Sequence, residues 1–206
     1  MRGRALVAAI SLAVLGMVMP GRAQTPAPAA IAPLLDALAH SAEQPESYKA
    51  QFSVRVKMRV FPFWRMTLHG QSEYVKPGLY HFVIRDAPML AKPWSDVHYD
   101  LGDPSQWPQR YEIAFAPGST DAAPVLRMAP RAPKLVRYVD VALDPTDHER
   151  IAKMTWTRGD GGVISLAQRF VPVAGRQLIA RQEASIDLPV FKASVEANYD
   201  AFADTH

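Results

Sequence analysis

The side chains that most often run chemistry are cysteine, histidine and closely set carboxylates, and this chain is poor in all three arrangements. It has no cysteine, which excludes a thiolate nucleophile, a thiolate metal site and any disulfide. Its six histidines, His40, His69, His81, His98, His148 and His206, are scattered, and none falls at an established zinc-binding spacing. The one local constellation is Asp96-x-His98-x-Asp100. On a strand its three side chains share a face, where they could bind a metal or exchange protons. A solvated acidic loop with a chance histidine accounts for the trio as well, and short motifs of this kind are weak. No metal or cofactor is therefore expected, and a metal-dependent enzyme ranks last among the readings. The chain contains neither a Gly-x-Ser-x-Gly elbow nor a phosphate-cradling glycine loop. Asp160-Gly161-Gly162 is followed by a strand pattern rather than a helix, so it reads as a hairpin turn.

Two basic rows remain: Arg55, Lys57 and Arg59 with Arg65 nearby, and Arg127, Arg131, Lys134 and Arg137. They suit anionic headgroups or an acidic partner, but alternating strands place polar residues on a solvated face in any case. The total of 23 Lys+Arg against 20 Asp+Glu does not mark a nucleic-acid binder. Arg2, Arg4 and Arg22 make up the whole excess, and after residue 23 the chain is balanced.

Those first residues have a purpose of their own. Arg2 and Arg4 precede an unbroken apolar run from Ala5 to Met19, then Pro20 and small residues at Gly21 and Ala23. This is the tripartite pattern of a secretory signal peptide, expected over 1–23 with cleavage near Ala23, and it predicts a periplasmic protein. Residues 24–30, rich in Pro and Ala, read as a flexible lead. The rest, 31–206, is expected to be a single domain, large enough to bury about 70% of its unfolded surface without disulfides.

The elements that would position any site are mostly strands. Ile31, Leu34, Leu35, Leu38 and Ala42 are spaced for a short amphipathic helix over 30–42, and Pro45 stops it. From Tyr48 the period changes to two: Phe52, Val54, Val56 and Met58 alternate with Ser53, Arg55 and Lys57. Met66, Leu68 and Tyr74 form a second such set, with Gly70 and Ser72 on the same phase leaving room beside them. Lys76-Pro77-Gly78 turns the chain into Tyr80, Phe82 and Ile84. Residues 86–108 break the rhythm with prolines and isolated Met89, Leu90, Trp94 and Trp107, and read as a partly ordered excursion with a short strand over 97–99. Alternation resumes at Tyr111, Ile113 and Phe115 and continues through hairpins turning at Asp144-Pro145, Asp160-Gly161 and Ala174-Gly175 to a last strand from Phe191. Roughly ten antiparallel strands behind one helix predict a mainly β, α+β fold: a curved sheet or open barrel.

Such a sheet has an apolar face that something must cover, and one helix is a meagre cover. Either the sheet curls over and fills itself, or it leaves a cavity in which Met and aromatic side chains suit an adaptable apolar ligand. The residues alone leave both open.

The order helix, long strand, second strand, Tyr74-Val75-Lys76-Pro77-Gly78-Leu79-Tyr80, third strand resembles the LolA-like periplasmic carriers of outer-membrane lipoproteins. The stretch from Tyr138-Val139-Asp140-Val141 through Ile151-Ala152-Lys153, Trp156 and Asp160-Gly161-Gly162 to Phe191-Lys192-Ala193 and Tyr199 is similar to outer-membrane lipoprotein-sorting proteins, so the likeness spans about 34–202. The resemblance implies a curved antiparallel half-barrel with a helix and loop lid, sheltering acyl chains without catalysis. Its cavity would be lined by Phe52, Val54, Val56, Met58, Met66, Leu68, Tyr74, Tyr80, Phe82, Ile84, Tyr111 and Phe115. It implies lipid or lipoprotein acyl chains as ligand, a membrane-bound donor or acceptor as partner, and a monomer. The carriers read Lys-Arg-Pro at the turn; here it is Val75-Lys76-Pro77, leaving Lys76 as the candidate lid latch without a guanidinium's fork of donors. A lipid-sensing module of the same fold is the alternative.

Overall fold

The computed structural model describes residues 30–41, 45–61, 63–76, 78–85, 96–100, 102–132 and 135–204. The expected signal peptide (1–23) and nearly all of the lead (24–30) lie outside these, as do Met89, Leu90, Trp94, Lys134 and His206. No described helix is long and apolar enough to cross a membrane.

The helical spacing becomes α1 (Ala32–His40), which buries Leu35, Leu38 and Ala39. Nine residues are too few for an isolated helix to persist, so packing against the sheet holds it. The period-two segments become strands β1 (Ser47–Met58), β2 (Arg65–Val75) and β3 (Leu79–Ile84). The stretch of prolines contributes β4 (Asp96–Asp100), a 3₁₀ turn (Pro104–Gln106) and α2 (Trp107–Arg110). Then come β5 (Tyr111–Phe115), β6 (Val125–Pro130), β7 (Val136–Asp144) and β8 (Asp147–Arg158). The last three are β9 (Val163–Val173), β10 (Arg176–Leu188) and β11 (Phe191–Asp204). About ten strands are legible in the sequence; eleven form among the described residues.

All eleven belong to one antiparallel sheet in the order β4-β3-β2-β1-β11-β10-β9-β8-β7-β6-β5. The first and last strands pair near its middle, Phe52 opposite Tyr199 and Val56 opposite Val195. Laid flat, its ten inter-strand steps of about 4.8 Å would hold β4 and β5 roughly 48 Å apart. Yet only residues 101–110 join them, and seven of these are in the 3₁₀ and α turns. Such a segment reaches no more than about 30 Å. The sheet therefore has to curl, which brings its edges towards each other.

The joining segment crosses the inner side of the curl: Trp107 is buried at 2% exposure in one cluster with Leu35, Leu38, Met128, Val141 and Met154. Helix α1 lies against β8 and the 3₁₀ turn. Thus α1 and Trp107 fill the concave side over β5–β8. A second cluster, Met58, Ile186, Leu188 and Phe191, closes the end of the trough near the β1–β2 turn. A third, around Tyr48, Ala50 and Tyr74, stands at the opposite end of those strands.

Candidate functional site

Even-numbered positions of β1 face the concave side, and the registers carry that face across the neighbouring strands. Val54 stands opposite Leu68, Val56 opposite Met66, Tyr74 opposite both Tyr48 and Tyr80, and Phe82 opposite Ser72. Ten of the expected lining residues therefore come together on β1–β3. Phe52, Met58, Leu68 and Tyr74 are buried, whereas Val54, Val56, Met66, Tyr80, Phe82 and Ile84 are only half-buried. The other two stand apart. Strand β5 is the far edge of the sheet; there Tyr111 packs at the margin of the α1 core and Phe115 is 43% exposed.

Small residues on β1 and β2 shape this wall. Ala50 faces Ser72 and Phe52 faces Gly70. Around them the rings form a continuous chain of neighbours: Tyr48–Tyr74 at 5.2 Å, Tyr74–Tyr80 at 4.9 Å, Tyr80–Phe82 at 6.0 Å, Phe82–Phe52 at 6.0 Å and Phe52–Tyr199 at 6.1 Å between centroids. These spacings are those at which aromatic pairs attract beyond simple burial. The room left by Gly70 is filled by the Phe52 ring itself.

The tyrosines keep the wall uncharged. Burial pushes the Tyr74 phenol up to about 12, with the Glu46 carboxylate adding to the effect. Tyr48 and Tyr199 are pushed up as well, first by burial. At neutral pH all three are protonated hydrogen-bond donors. The Tyr199 hydroxyl donates to Gln182 Oε1 at 2.6 Å, Gln182 Nε2 to Gln168 Oε1 at 3.2 Å, and Gln168 Nε2 to the Ile151 carbonyl at 3.2 Å. This chain of bonds runs over β11, β10, β9 and β8, and satisfies polar groups on an otherwise apolar face.

At the tyrosine end the wall opens into a small cleft, partly continuous with solvent. Tyr48, Tyr74 and Tyr80 line one side, Ile151, Phe170 and Ile179 the other, and Leu38 of α1 and Trp107 close over it. Arg150 also reaches the cleft, with its charge balanced by Asp147 at 3.2 Å and Asp144 at 3.7 Å. Burial pushes the Asp144 carboxyl up, but hydrogen bonds from Thr146 and the Arg150 charge outweigh it and hold the group below its ordinary value. Lys76 sits at the rim of this end. Its amide donates to the Glu46 carbonyl at 2.8 Å and its ammonium lies 3.5 Å from the Glu46 carboxylate, joining the β2–β3 turn to the segment that follows α1.

Tyr48, Tyr199, Gln168 and Gln182 are members of this site that sequence reasoning left out. Tyr48 shares the phase of Phe52, so periodicity alone could have found it. Tyr199 joins only through the β1–β11 pairing. Positions 96, 98 and 100 of β4 register with Val83, His81 and Leu79 of β3. The side chains of Asp96, His98 and Asp100 lie outside those described; among the described residues no group of three or more His, Asp or Glu is gathered as a metal site would need.

No protein-family model matches the chain, and no curated protein matches it. Solved structures do. A LolA superfamily protein from Nitrosomonas europaea superposes with a TM-score of 0.55 at 10% identity, over 84% of this chain and 94% of that one. The fold is LolA-like. A putative outer membrane lipoprotein-sorting protein domain from Vibrio parahaemolyticus gives a TM-score of 0.55 at 11% identity, over 84% of this chain and 90% of that one. A DUF1329 family protein from Desulfovibrio piger gives 0.56 at 8% identity with the same shares covered. In LolA-like terms, β1–β3 are the open part of the half-barrel wall, and α1 with Trp107 is the cover over the remainder.

Proposed function

We propose that this chain is a periplasmic carrier that shelters acyl chains of a lipid or lipoprotein on the concave wall of β1–β3, in outer-membrane lipoprotein sorting. One observation carries the reading. The half of the concave face over β5–β8 is filled by α1 and Trp107, while six apolar side chains on β1–β3 stay half-buried beside a cleft. Apolar surface left partly wet is what a hydrophobic ligand would cover, at about 25 cal/mol per Å². The wall offers uncharged rings and aliphatic chains and works by binding, without a metal or cofactor. Lys76 latches the cover through Glu46; with Glu46 exposed, that pair is worth little and releases readily. A monomer would receive its ligand from one membrane-bound partner and pass it to another, and residues 1–23 would direct its export.

The test is to purify the protein from its native envelope and identify what solvent extracts from it by mass spectrometry. Stoichiometric acylated molecules, displaceable by a fluorescent acyl probe, are expected. Empty protein that also fails to bind the probe would refute the carrier reading.

A further inference from the structure

Among the described residues, the three apolar side chains more than 70% exposed, Phe61, Phe63 and Val190, lie far from the cleft. Phe61 is 87% exposed, Phe63 77% and Trp64 37%, all in the turn between β1 and β2. Val190, 75% exposed, tips the β10–β11 turn. The two turns are fastened side by side: the Arg59 amide donates to the Lys192 carbonyl at 2.8 Å, and its guanidinium to the Ile186 carbonyl at 2.8 Å and to Ser185 Oγ at 3.2 Å. Together they form an apolar tip past the ends of the strands.

The tip is set in positive charge. Arg55, Lys57, Arg59 and Arg65 flank it, and no acidic residue occurs between Arg55 and Ser72. Lys57 stands directly opposite Arg65 across the strand pair, an arrangement that like charges make unfavourable. Neither makes an ion pair among the described residues. The second basic row is different: Arg127 is held by Asp140 at 2.7 Å and Arg131 lies 3.6 Å from Glu112. Within the tip row Arg55 lies 3.8 Å from Glu196, so Lys57 and Arg65 carry its uncompensated charge.

We infer that this tip docks on an anionic lipid surface, its Phe and Trp side chains entering the headgroup boundary while Lys57 and Arg65 meet lipid phosphates. Aromatic rings favour that boundary, and cations beside an apolar face add attraction to anionic lipid. A protruding turn fits a fluid that yields around it. In this orientation the tyrosine cleft, at the other end of β1 and β2, points away from the bilayer. The inference stands whether or not the cleft holds acyl chains.

Co-sedimentation with vesicles tests it, using wild type and variants purified identically from the soluble envelope fraction and carrying the same N-terminus. Wild type should bind equimolar phosphatidylcholine–phosphatidylglycerol vesicles well and pure phosphatidylcholine poorly, and added salt should weaken binding. Phe61→Ser with Phe63→Ser should lower the partition coefficient at least about ten-fold, as loss of buried apolar area requires. Lys57→Gln and Arg65→Gln should each lower it about five-fold, the equivalent of about 1 kcal/mol per cation. These exposed sites leave the melting temperature near that of wild type, so folding does not confuse the result. If wild type ignores anionic vesicles, or the double Phe variant binds them as wild type does, the tip is no membrane anchor and a protein partner takes its place.

Discussion

The ring of Phe52 occupies the space that a side chain at residue 70 would need: a Cβ on Gly70 would stand 2.5 Å from Phe52 Cζ and 2.2 Å from the Val83 carbonyl oxygen. The second contact is with backbone of β3, which cannot swing aside. The glycine therefore lets one ring cross from β1 over β2 and meet Phe82 on β3, 6.0 Å away.

Gly70→Ala should lower stability by about 1–3 kcal/mol, the usual penalty for overpacking. For a domain of this size the melting temperature should fall by about 2–4 °C per kcal/mol. An unchanged melting curve would mean that the ring has room to retreat.

Phe52 and Phe82 touch, yet they should respond differently to truncation. Phe52 is 5% exposed and Phe52→Ala should cost about 3–5 kcal/mol, measured by denaturant unfolding. Phe82 is half-buried, so Phe82→Ala or Tyr80→Ala should cost no more than about 2 kcal/mol while weakening binding of a fluorescent acyl probe. Equal, large losses at all three sites, with no probe bound by wild type, would make the wall an ordinary core.

Tyr199→Phe removes the donor to Gln182 but leaves the ring. The half-buried amide oxygen then lacks its partner, and stability should fall by about 1 kcal/mol. Tyr199→Phe with Gln182→Leu should not recover that loss, because it also removes the Gln182 donor to Gln168 Oε1 and moves the orphaned acceptor one step along the chain. A double-mutant cycle measures the coupling.

The Asp160 carboxyl is held at about 2, below its ordinary 3.8, first by the Arg158 side-chain hydrogen bond and then by the Gly162 amide. A carboxyl depressed in the folded state contributes stability above its ordinary value and loses it as pH falls from near 4 towards 2. NMR titration should place the Asp160 midpoint near 2 in wild type and move it towards 3.8 in Arg158→Gln. A wild-type midpoint near 4 would show that the turn lacks this contact in solution.

The local parts of this structure were legible in the residues. Period-two alternation located β1, β2 and β3 and the face they share, because parity along a strand is dictated by backbone geometry. Asp160-Gly161 and Ala174-Gly175 marked hairpins through positive φ, seen at Gly161 (+81°), Ala174 (+49°) and Gly175 (+78°). Expected over 30–42, the helix runs over Ala32–His40. What alternation cannot carry is neighbourhood. Phe115 has the parity of Ile113, but its strand is the sheet's edge, and it stays exposed where Ile113 is buried. The gathering of Tyr48, Phe52 and Tyr199 depends on β1 pairing with β11, more than a hundred residues away. The exposed tip of Phe61 and Phe63 falls between two alternating runs, and alternation does not say what such a break exposes.

That same pairing orders events as the chain emerges N-terminus first into the compartment where it folds. Strand β11 is the seam that joins β1–β4 to β5–β10, and it is the last of the eleven described strands to appear. Until it does, a growing chain holds two partial sheets with unpaired edges at β1 and β10. Closing them requires contact between sequence-distant strands, the slow class of folding event. For that interval the edges are open to pairing with other chains. A chain interrupted before Phe191 should therefore be a source of aggregates rather than a shortened but folded sheet.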